Sequence, residues 1–289
     1  MSKVEQMEPG LERIVAPNPS PMTERGTNTY LLGDTRAIAV IDPGPANDDH
    51  LAAILSAIGT RKVTQILVTH AHLDHSPLAG PLSRCTGSPV LAYGDAHAGR
   101  SERMESLRDL GGGEGVDLAF APNQRLSDGE TVNTPAGPVT CIWTPGHFGN
   151  HMAFLWKGAA FSGDLVMGWA STFISPPDGE VSAFIASCHR LNSHAPRRLY
   201  PGHGAPVENP TERVDWLLAH RQAREAQIIA AVSAAPGTPA ALAARVYADV
   251  PAALLPAAVR NVLAHLIDLT ENGRVKVDGR VGPEATFHL

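Results

Sequence analysis

Short apolar runs, separated by turns that contain Gly or Pro, recur along most of this chain. Because they are bounded by turn residues, these runs predict strands at 11–15, 29–32, 38–41, 63–68, 90–93, 131–133, 139–144, 152–156, 159–161 and 198–200. Apolar positions at helical spacing predict helices at 50–58, from 77 onward and at 181–193. Strands interleaved with helices are typical of a layered α/β architecture.

The pattern changes after about residue 208. A single long helical pattern runs over 211–235 and ends at Pro236 and Gly237. Two further helices, at 238–247 and 256–270, are followed by a hairpin of 274–277 and 286–289. We therefore predict three parts, which are a main domain over 1–208, a linking helix over 209–236 and a small C-terminal subdomain over 237–289. The segment 95–115 is charged and helix-compatible up to residue 110, and we expect it to be a lid or arm inserted in the main domain.

Composition narrows the class of protein. With 289 residues, of which 43% are hydrophobic and 18% charged, the chain is expected to fold around a large core. No apolar run approaches the length of a membrane span, and the first residues lack the apolar core of a secretory signal. Three scattered Cys cannot form a disulfide framework, so we expect a cytoplasmic protein with no membrane partner. The 13 His are the notable excess, because histidine is the commonest metal ligand.

The densest cluster of metal-binding side chains follows the predicted strand 63–68. The sequence THAHLDH at 69–75 places His70, His72, Asp74 and His75 within six positions. An extended backbone directs residues two apart to the same side, so the first three share a side and His75 can bind a second ion. Ligands at the carboxyl end of a strand are typical of sites in α/β proteins.

Three later segments repeat this arrangement. In each, a short predicted strand ends in a turn that contains Gly and presents one metal-binding side chain. The side chains are His147, Asp164 and His203.

Together these residues resemble the metallo-β-lactamase superfamily of metallohydrolases. Its H-x-H-x-D-H signature is complete at 70–75, and the three later ligands match in order over roughly residues 10–208. The resemblance implies an α/β, four-layer αββα sandwich with a metal-lined cleft along the edge that the two sheets share. It implies His70, His72 and His147 for one metal, and Asp74, His75 and His203 for the second, with Asp164 bridging both.

The resemblance also bears on the branch of the superfamily. In the best-known antibiotic-hydrolysing zinc lactamases a Cys replaces the bridging Asp, so Asp164 makes the ligand set similar to that of the thioesterase, lactonase and nuclease branches. The TPGH and PGHG segments, the helix from 220 and a winged-helix-like tail are similar to lactamase-like protein 2 and its bacterial relatives. The animal member of that group is a mitochondrial endoribonuclease that acts on single-stranded RNA, whereas its bacterial relatives are mostly uncharacterised hydrolases.

The ligand chemistry agrees with a dinuclear hydrolase. Nitrogen and oxygen ligands suit Zn²⁺, Mn²⁺ or Fe²⁺, and we expect two divalent ions, with Zn²⁺ favoured. Two ions roughly 3.5–4 Å apart can share a hydroxide. We expect this metal-bridging hydroxide to attack the carbonyl of an ester, thioester or lactone, with Asp74 and Asp164 as the catalytic carboxylates. The alternative is a metal-dependent phosphodiesterase or endoribonuclease that acts on single-stranded RNA.

Four other residues are candidates for supporting roles. Asp42 matches an early position of the superfamily, where the carboxylate usually supports the loops that carry the ligands. His151 is four residues after His147, and it can either contact a substrate or satisfy a backbone group. Ser171 and Thr172 follow the Asp164 loop; they are candidates to line the cleft, although turn-forming hydroxyls are the simpler interpretation.

The charge of the tail decides between partners. Between 237 and 289, the basic residues are Arg245, Arg260, Arg274, Lys276 and Arg280, and the acidic residues are Asp249, Asp268, Glu271, Asp278 and Glu284. Five of each leave no net charge, and the whole chain carries −6. A domain that binds nucleic acid normally presents a basic stripe, so we favour a small-molecule substrate over RNA and a structural role for the tail. A homo-oligomer is compatible with the sequence.

Overall fold

The computed structural model describes residues 3–111, 113 and 115–289. Residues 112 and 114 of the predicted insert and the first two residues of the chain lie outside the described part. The strands are β1 (Val4–Glu8), β2 (Leu11–Val15), β3 (Asn28–Gly33), β4 (Ala37–Ile41), β5 (Lys62–Leu67), β6 (Val90–Ala92), β7 (Gln124–Arg125), β8 (Thr131–Thr134), β9 (Gly137–Trp143), β10 (Met152–Trp156), β11 (Ala159–Gly163), β12 (Arg198–Pro201), β13 (Lys276–Val277) and β14 (Phe287–His288). The helices are α1 (Asp48–Ile58), α2 (Ala79–Thr86), α3 (Glu102–Ser106), α4 (Val181–Ser193), α5 (Pro210–Ala234), α6 (Pro239–Val246) and α7 (Leu255–Glu271).

Two sheets form the centre of the molecule. The first contains β1 to β7 in chain order; it is antiparallel up to β4 and parallel from β4 to β7. The second has the order β12-β11-β10-β9-β8, and only β11 and β12 are parallel within it. The parallel neighbours bring the carboxyl ends of β4 and β5, and of β11 and β12, to a common edge. The polar loops of the site begin at that edge.

Four layers follow from where the apolar side chains are buried. Leu67 of the first sheet and Phe154 and Phe161 of the second are fully buried between the two sheets. Helices α1 and α2 bury Ile54 and Leu82 against the outer face of the first sheet. Helices α4 and α5 cover the outer face of the second sheet with side chains that include Phe184 and Leu217. The predicted αββα sandwich is confirmed.

The C-terminal part packs on the far end of the long helix α5. Leu217, in the first half of α5, belongs to the sandwich core, whereas Ile228 and Val232 pack with α6 and α7. The antiparallel pair β13 and β14 closes this smaller core with the buried ring of Phe287. Two helices and a small hairpin after the long helix agree with the predicted winged-helix-like tail.

The segment 95–115, which we expect to be an inserted lid or arm, is described except for residues 112 and 114. Its described residues form the short helix α3 and the 3₁₀ turn Arg108–Leu110, so the helix-compatible stretch from 95 to 110 is helical only in its second half. Gly99 has a φ of 78°, and a Cβ there would overlap the carbonyl oxygen of Gly149, so the close approach of these two loops prevents an earlier helix start. Met104 and Leu107 pack in the core of the C-terminal part. These residues are therefore part of the packed structure.

Helix α7 and the turn before it correct the expectation about membrane spans. Among the described residues, 252–271 is the one helical stretch that is long and apolar enough to cross a membrane by length and composition. Half of that window is buried inside the protein, and Val262, Leu266 and Leu269 pack in the C-terminal core. A buried core helix accounts for its apolar composition.

Candidate metal centre

The predicted metal ligands lie where strands of the two sheets end. His70, His72, Asp74 and His75 follow β5, and the later ligands follow β9, β11 and β12. Each of these loops starts at a strand whose backbone is fixed by its neighbours in the sheet, so the side chains are held by a rigid frame. The fold brings all seven predicted ligands together, although they are spread over more than a hundred residues of chain.

One group consists of three histidine rings. His70 Nε2 lies 2.9 Å from His72 Nδ1, and His147 Nε2 lies 3.1 Å from the same nitrogen of His72. Possible ligand atoms of the three residues all lie within 4.8 Å of one another. This spacing is compatible with a shared metal ion.

A second group combines two rings with a carboxylate. His203 Nε2 lies 3.1 Å from Asp74 Oδ2 and 3.3 Å from His75 Nε2. The side chain of Asp74 is 27% exposed, whereas both rings are buried, so Asp74 is the most exposed member of this group.

Asp164 lies between the two groups. Its Oδ2 is 3.2 Å from His203 Nε2 and 3.8 Å from His147 Nε2, while its Oδ1 is 3.5 Å from His75 Nε2. A single carboxylate therefore approaches one ring of the first group and two rings of the second. This is the position that a bridging ligand would occupy.

The outer nitrogens of the rings determine where the lone pairs point. His147 Nδ1 donates to the carbonyl oxygen of Phe173 at 2.7 Å, and His75 Nδ1 donates to Asp42 Oδ2 at 3.0 Å. In both rings Nδ1 is the outer nitrogen and Nε2 is the inner one, which faces the cluster. In a neutral imidazole that carries its proton on Nδ1, Nε2 has a lone pair, as a metal ligand requires. The buried Asp164 Oδ1 has no hydrogen-bond partner among the described residues. Lone pairs that converge on a buried carboxylate fit divalent metal ions, and the donor set suits Zn²⁺, Mn²⁺ or Fe²⁺.

Strong electrostatic attraction exists inside the cluster. Burial opposes ionisation of Asp164, but the His203 and His75 rings outweigh burial and hold the pKa of its carboxyl well below the usual range. Burial also opposes the charge of His203, but Asp164 and Asp74 outweigh it and raise the pKa of that ring to about 9. In the first group, burial and the neighbouring His147 ring lower the pKa of His72 to about 3. The first group therefore presents neutral imidazoles, and the second a pair of carboxylates that strongly attract positive charge.

Asp42 has the supporting position that the sequence suggested. Its Oδ1 accepts from the backbone N–H of Thr69, and its Oδ2 accepts from the Thr69 hydroxyl, both at 2.7 Å, as well as from His75. The φ of Asp42 is 50°, an uncommon conformation for a residue other than Gly. Asp42 thus holds the start of the ligand loop. Both oxygens of its carboxylate accept hydrogen bonds in these contacts.

Of the three tentative substrate contacts, the structure places only Ser171 at the cavity. His151 is fully buried; its Nδ1 is 2.9 Å from the Thr144 hydroxyl, and its Nε2 accepts from the backbone N–H of Asp164 at 3.2 Å. Thr172 is also fully buried and donates to the carbonyl oxygen of Leu165 at 2.8 Å. Both residues therefore support the Asp164 loop from behind and do not face the cavity.

A buried arginine, which sequence reasoning missed, stabilises the loop behind His147. Arg221 of α5 is 3% exposed; its guanidinium donates to the carbonyl oxygen of Thr172 and, at 3.3 Å, to Asn261 Oδ1 of α7. The same Asn261 oxygen accepts from the backbone N–H of Ile174 at 3.2 Å. The carbonyl oxygen that orients His147 belongs to Phe173, which lies between these two anchored residues. Only the fold brings this Arg and this Asn together, so no motif could have revealed them.

The cluster opens into a cavity of about 630 Å³. His72, Asp74, His147, Asp164 and His203 contribute to its floor. Its walls come from both the sandwich and the C-terminal part. The volume lies within the range that is typical of sites for small molecules.

Two family models match separate parts of the chain. The model of the Metallo-beta-lactamase superfamily matches residues 22–223, and the model of the Beta-lactamase associated winged helix domain matches residues 238–282. The first match covers more than half of the chain and all seven predicted ligands.

Individual relatives extend the comparison. The chain is 30% identical to the Beta-lactamase-like protein 2 homolog of Drosophila melanogaster, over 92% of this chain and 89% of that protein. It is 29% identical to the Atrochrysone carboxyl ACP thioesterase of Aspergillus fumigatus, over 80% of this chain and 68% of that protein. Among solved structures, a metallo-beta-lactamase family protein from Thermus thermophilus superposes with a TM-score of 0.79 at 26% identity, over 97% of this chain and 99% of that one.

Proposed function

This chain belongs to the metallo-beta-lactamase superfamily and is a hydrolase, and from that premise we propose that it cleaves the acyl bond of an ester, thioester or lactone with two divalent ions. The observation that carries the proposal is the convergence of seven possible nitrogen and oxygen ligands in one cluster, five of which form the floor of the cavity. A relative that is named as a thioesterase supports the acyl part of the proposal.

The two groups of ligands divide the work in this proposal. His70, His72 and His147 would hold one ion, while Asp74, His75 and His203 would hold the second, with Asp164 shared between them. Divalent ions held there would supply a nucleophile from water at neutral pH and polarise the carbonyl group of the substrate. Zn²⁺ is the ion that we favour, and the same donors accept Mn²⁺ or Fe²⁺.

The two carboxylates have different tasks because their surroundings differ. The side chain of Asp164 is 9% exposed and lies among three rings, so it would help to hold both ions. Asp74 is 27% exposed and lines the cavity, so its carboxylate would be the one to accept a proton from the attacking water and to pass it to the departing group.

A turnover panel tests this function. The purified protein, freed of metal by a chelator, is loaded separately with Zn²⁺, Mn²⁺ or Fe²⁺ and supplied with an aryl ester, an acyl thioester, a lactone, a phosphodiester and a labelled single-stranded RNA. We expect turnover of at least one acyl substrate that requires metal and saturates at about two ions per chain. Metal-dependent cleavage of the phosphodiester or the RNA without any acyl turnover would overturn the proposal in favour of the nuclease alternative.

A further inference from the structure

The wall of the cavity opposite the sandwich consists of residues from the C-terminal part. These residues lie at the end of α6, in the turn Ala252–Leu254 and in the first turns of α7. They are Tyr247, Val250, Leu254, Ala257, Ala258, Arg260 and Asn261. Most of them present apolar side chains, so the surface that faces the metal ligands from this side is mainly apolar.

The rim on the sandwich side is apolar as well. Met22, Leu73 and Trp169 line the cavity although they are 44%, 47% and 38% exposed. Large apolar side chains that stay exposed around a concave site are typical of a site that binds an apolar ligand. The C-terminal wall and this rim therefore enclose an apolar part of the cavity, which we call the apolar slot.

Charged groups along this slot already have partners. Asp178 lies 2.5 Å from a guanidinium nitrogen of Arg100. Among the lining residues that the structure describes, Arg260 is the one Lys or Arg, and it donates to Ser175 Oγ at 3.0 Å and to the carbonyl oxygen of Gly111 at 2.7 Å. A phosphate or carboxylate on the distal part of a substrate would have to compete with these contacts, whereas an uncharged chain would not.

The C-terminal wall is fixed to the rest of the site. Asn261 is tied to the backbone of Ile174 and to Arg221, and the Arg224 guanidinium stacks on the Tyr247 ring at 4.0 Å. Ala258 lines the cavity and is only 6% exposed. A wall held in this way can select substrates by shape, because it costs little reorganisation when a ligand binds.

We propose that this wall binds the acyl group of the substrate, and that the acyl group is an uncharged apolar chain or ring system. The inference rests on the proposed acyl hydrolysis and adds the substrate class to it. The C-terminal part then selects the substrate, and the ligands in the sandwich carry out the chemistry.

Two variants at neighbouring positions test the role of the wall. Leu254 lines the cavity, whereas Ala253 in the same 3₁₀ turn is exposed to solvent. Leu254→Glu therefore adds a carboxylate to the apolar slot, and Ala253→Glu adds the same charge outside it. Metal-loaded wild type and both variants are assayed with acetyl and octanoyl thioesters of N-acetylcysteamine, a small neutral thiol.

We expect the wild type to prefer the octanoyl over the acetyl thioester by at least about tenfold in kcat/KM, since apolar contacts of a few methylenes have effects of this size. Leu254→Glu should lower kcat/KM for the octanoyl thioester by about tenfold or more, and lower it for the acetyl thioester by a clearly smaller factor. Ala253→Glu should behave as wild type with both. Thermal unfolding and metal content, measured on all three proteins, verify that each variant is folded and loaded.

The possible failures are distinguishable. If the loaded wild type cleaves no thioester, ester or lactone of any length, the proposed acyl hydrolysis itself is overturned. If it cleaves them without preference for the longer chain, or if the two variants have the same effect, acyl hydrolysis stands and the role of the C-terminal wall is overturned.

Discussion

The imidazole rings of the site are oriented by what their outer nitrogens bind. Asp42 fixes His75 and the carbonyl oxygen of Phe173 fixes His147, and in both rings Nε2 is left to face the other side chains of the cluster. Such contacts usually raise ligand basicity and fix the ring, so they are as much a part of a metal site as the ligands. Individual hydrogen bonds therefore set the orientation of these two rings.

Another histidine is buried without any such partner. His265 of α7 is 1% exposed, and neither of its ring nitrogens has a hydrogen-bond partner among the described residues. Burial, reinforced by the charge of Arg221, lowers its pKa to about 3. Its ring is therefore neutral in the folded protein at pH values where an unfolded chain would protonate it.

This difference predicts a pH dependence of stability. Because the folded pKa is depressed, the free energy of unfolding is at its full value above the unfolded pKa of about 6.5 and falls as the pH drops toward about 3. Between pH 7 and pH 5 the wild type should lose about 2 kcal/mol more than the variant His265→Leu, in which no group titrates at this position. Urea unfolding at both pH values, on proteins freed of metal, measures the difference.

The matched control for this experiment is His189→Leu, the same change at an exposed position of α4. It should retain the wild-type pH dependence. Parallel curves for wild type and His265→Leu would show that His265 titrates alike in both states and would refute the prediction.

At the scale of residues, the sequence predicted which side chains form the cluster and one of its supports, Asp42, and missed the other supports. The run at 70–75 and the single ligands after strand ends are local patterns, and all seven meet in the fold. His151 left two interpretations open because its partner, the backbone of Asp164, is a residue whose position depends on the pairing of β10 with β11. Contacts to backbone atoms leave no pattern in a sequence.

At the scale of elements, the loop behind His147 is held in place by two helices, α5 and α7. Residues 172–174 carry the carbonyl oxygen that orients His147, and they are anchored by Arg221 of α5 and Asn261 of α7. Helices α5 and α7 therefore act on the His147 ring through this short loop.

We predict that Arg221→Met weakens metal binding by about tenfold, because loss of the buried donor releases the carbonyl oxygen of Thr172 and loosens the neighbouring Phe173. Metal affinity is measured by competition with a chelator of known strength. Arg221→Lys, which retains one donor, should recover part of the affinity. Arg245→Met, at an exposed position of α6, is the control and should bind metal as wild type.

A folded Arg221→Met protein with unchanged metal affinity would contradict this role of the loop. Thermal unfolding distinguishes that result from a general loss of structure, since both Arg221 variants must remain folded for the comparison.

Element prediction succeeded where periodicity was local and failed where tertiary contacts decide. Strands β3, β4 and β5 and helix α5 lie within a few residues of the predicted ranges. β1 was missed, because its residues are mostly polar and only its pairing with β2 makes it a strand. In the helix-compatible segment 95–110, α3 begins only at Glu102, and the close approach of Gly99 to Gly149 accounts for this late start.

At the scale of the whole molecule, charge and burial argue against nucleic acid as substrate. The chain carries −6, and α7, the helix that would read a groove in a winged-helix domain, buries Val262 to Leu269 as an unbroken run. A recognition helix needs an exposed basic face. In this protein the first turns of α7 instead form the cavity wall.

We therefore predict no salt-dependent affinity for a fluorescently labelled single-stranded RNA. Fluorescence anisotropy at about 50 mM and 200 mM salt should show no saturable binding at micromolar protein, since the chain carries −6 and its C-terminal tail has no net charge to attract phosphates. Saturable binding that weakens steeply between these salt concentrations would contradict the prediction and revive the nuclease alternative.

The most direct measurement is the metal content and acyl turnover of Asp164→Ala beside wild type and the exposed control Asp215→Ala. Wild type and Asp215→Ala should bind about two divalent ions per chain and cleave the same acyl substrate, because Asp215 lies on the solvent side of α5. In Asp164→Ala, loss of the carboxylate that both ligand groups approach should abolish metal loading and turnover together. Full turnover by a metal-free Asp164→Ala protein would contradict the account.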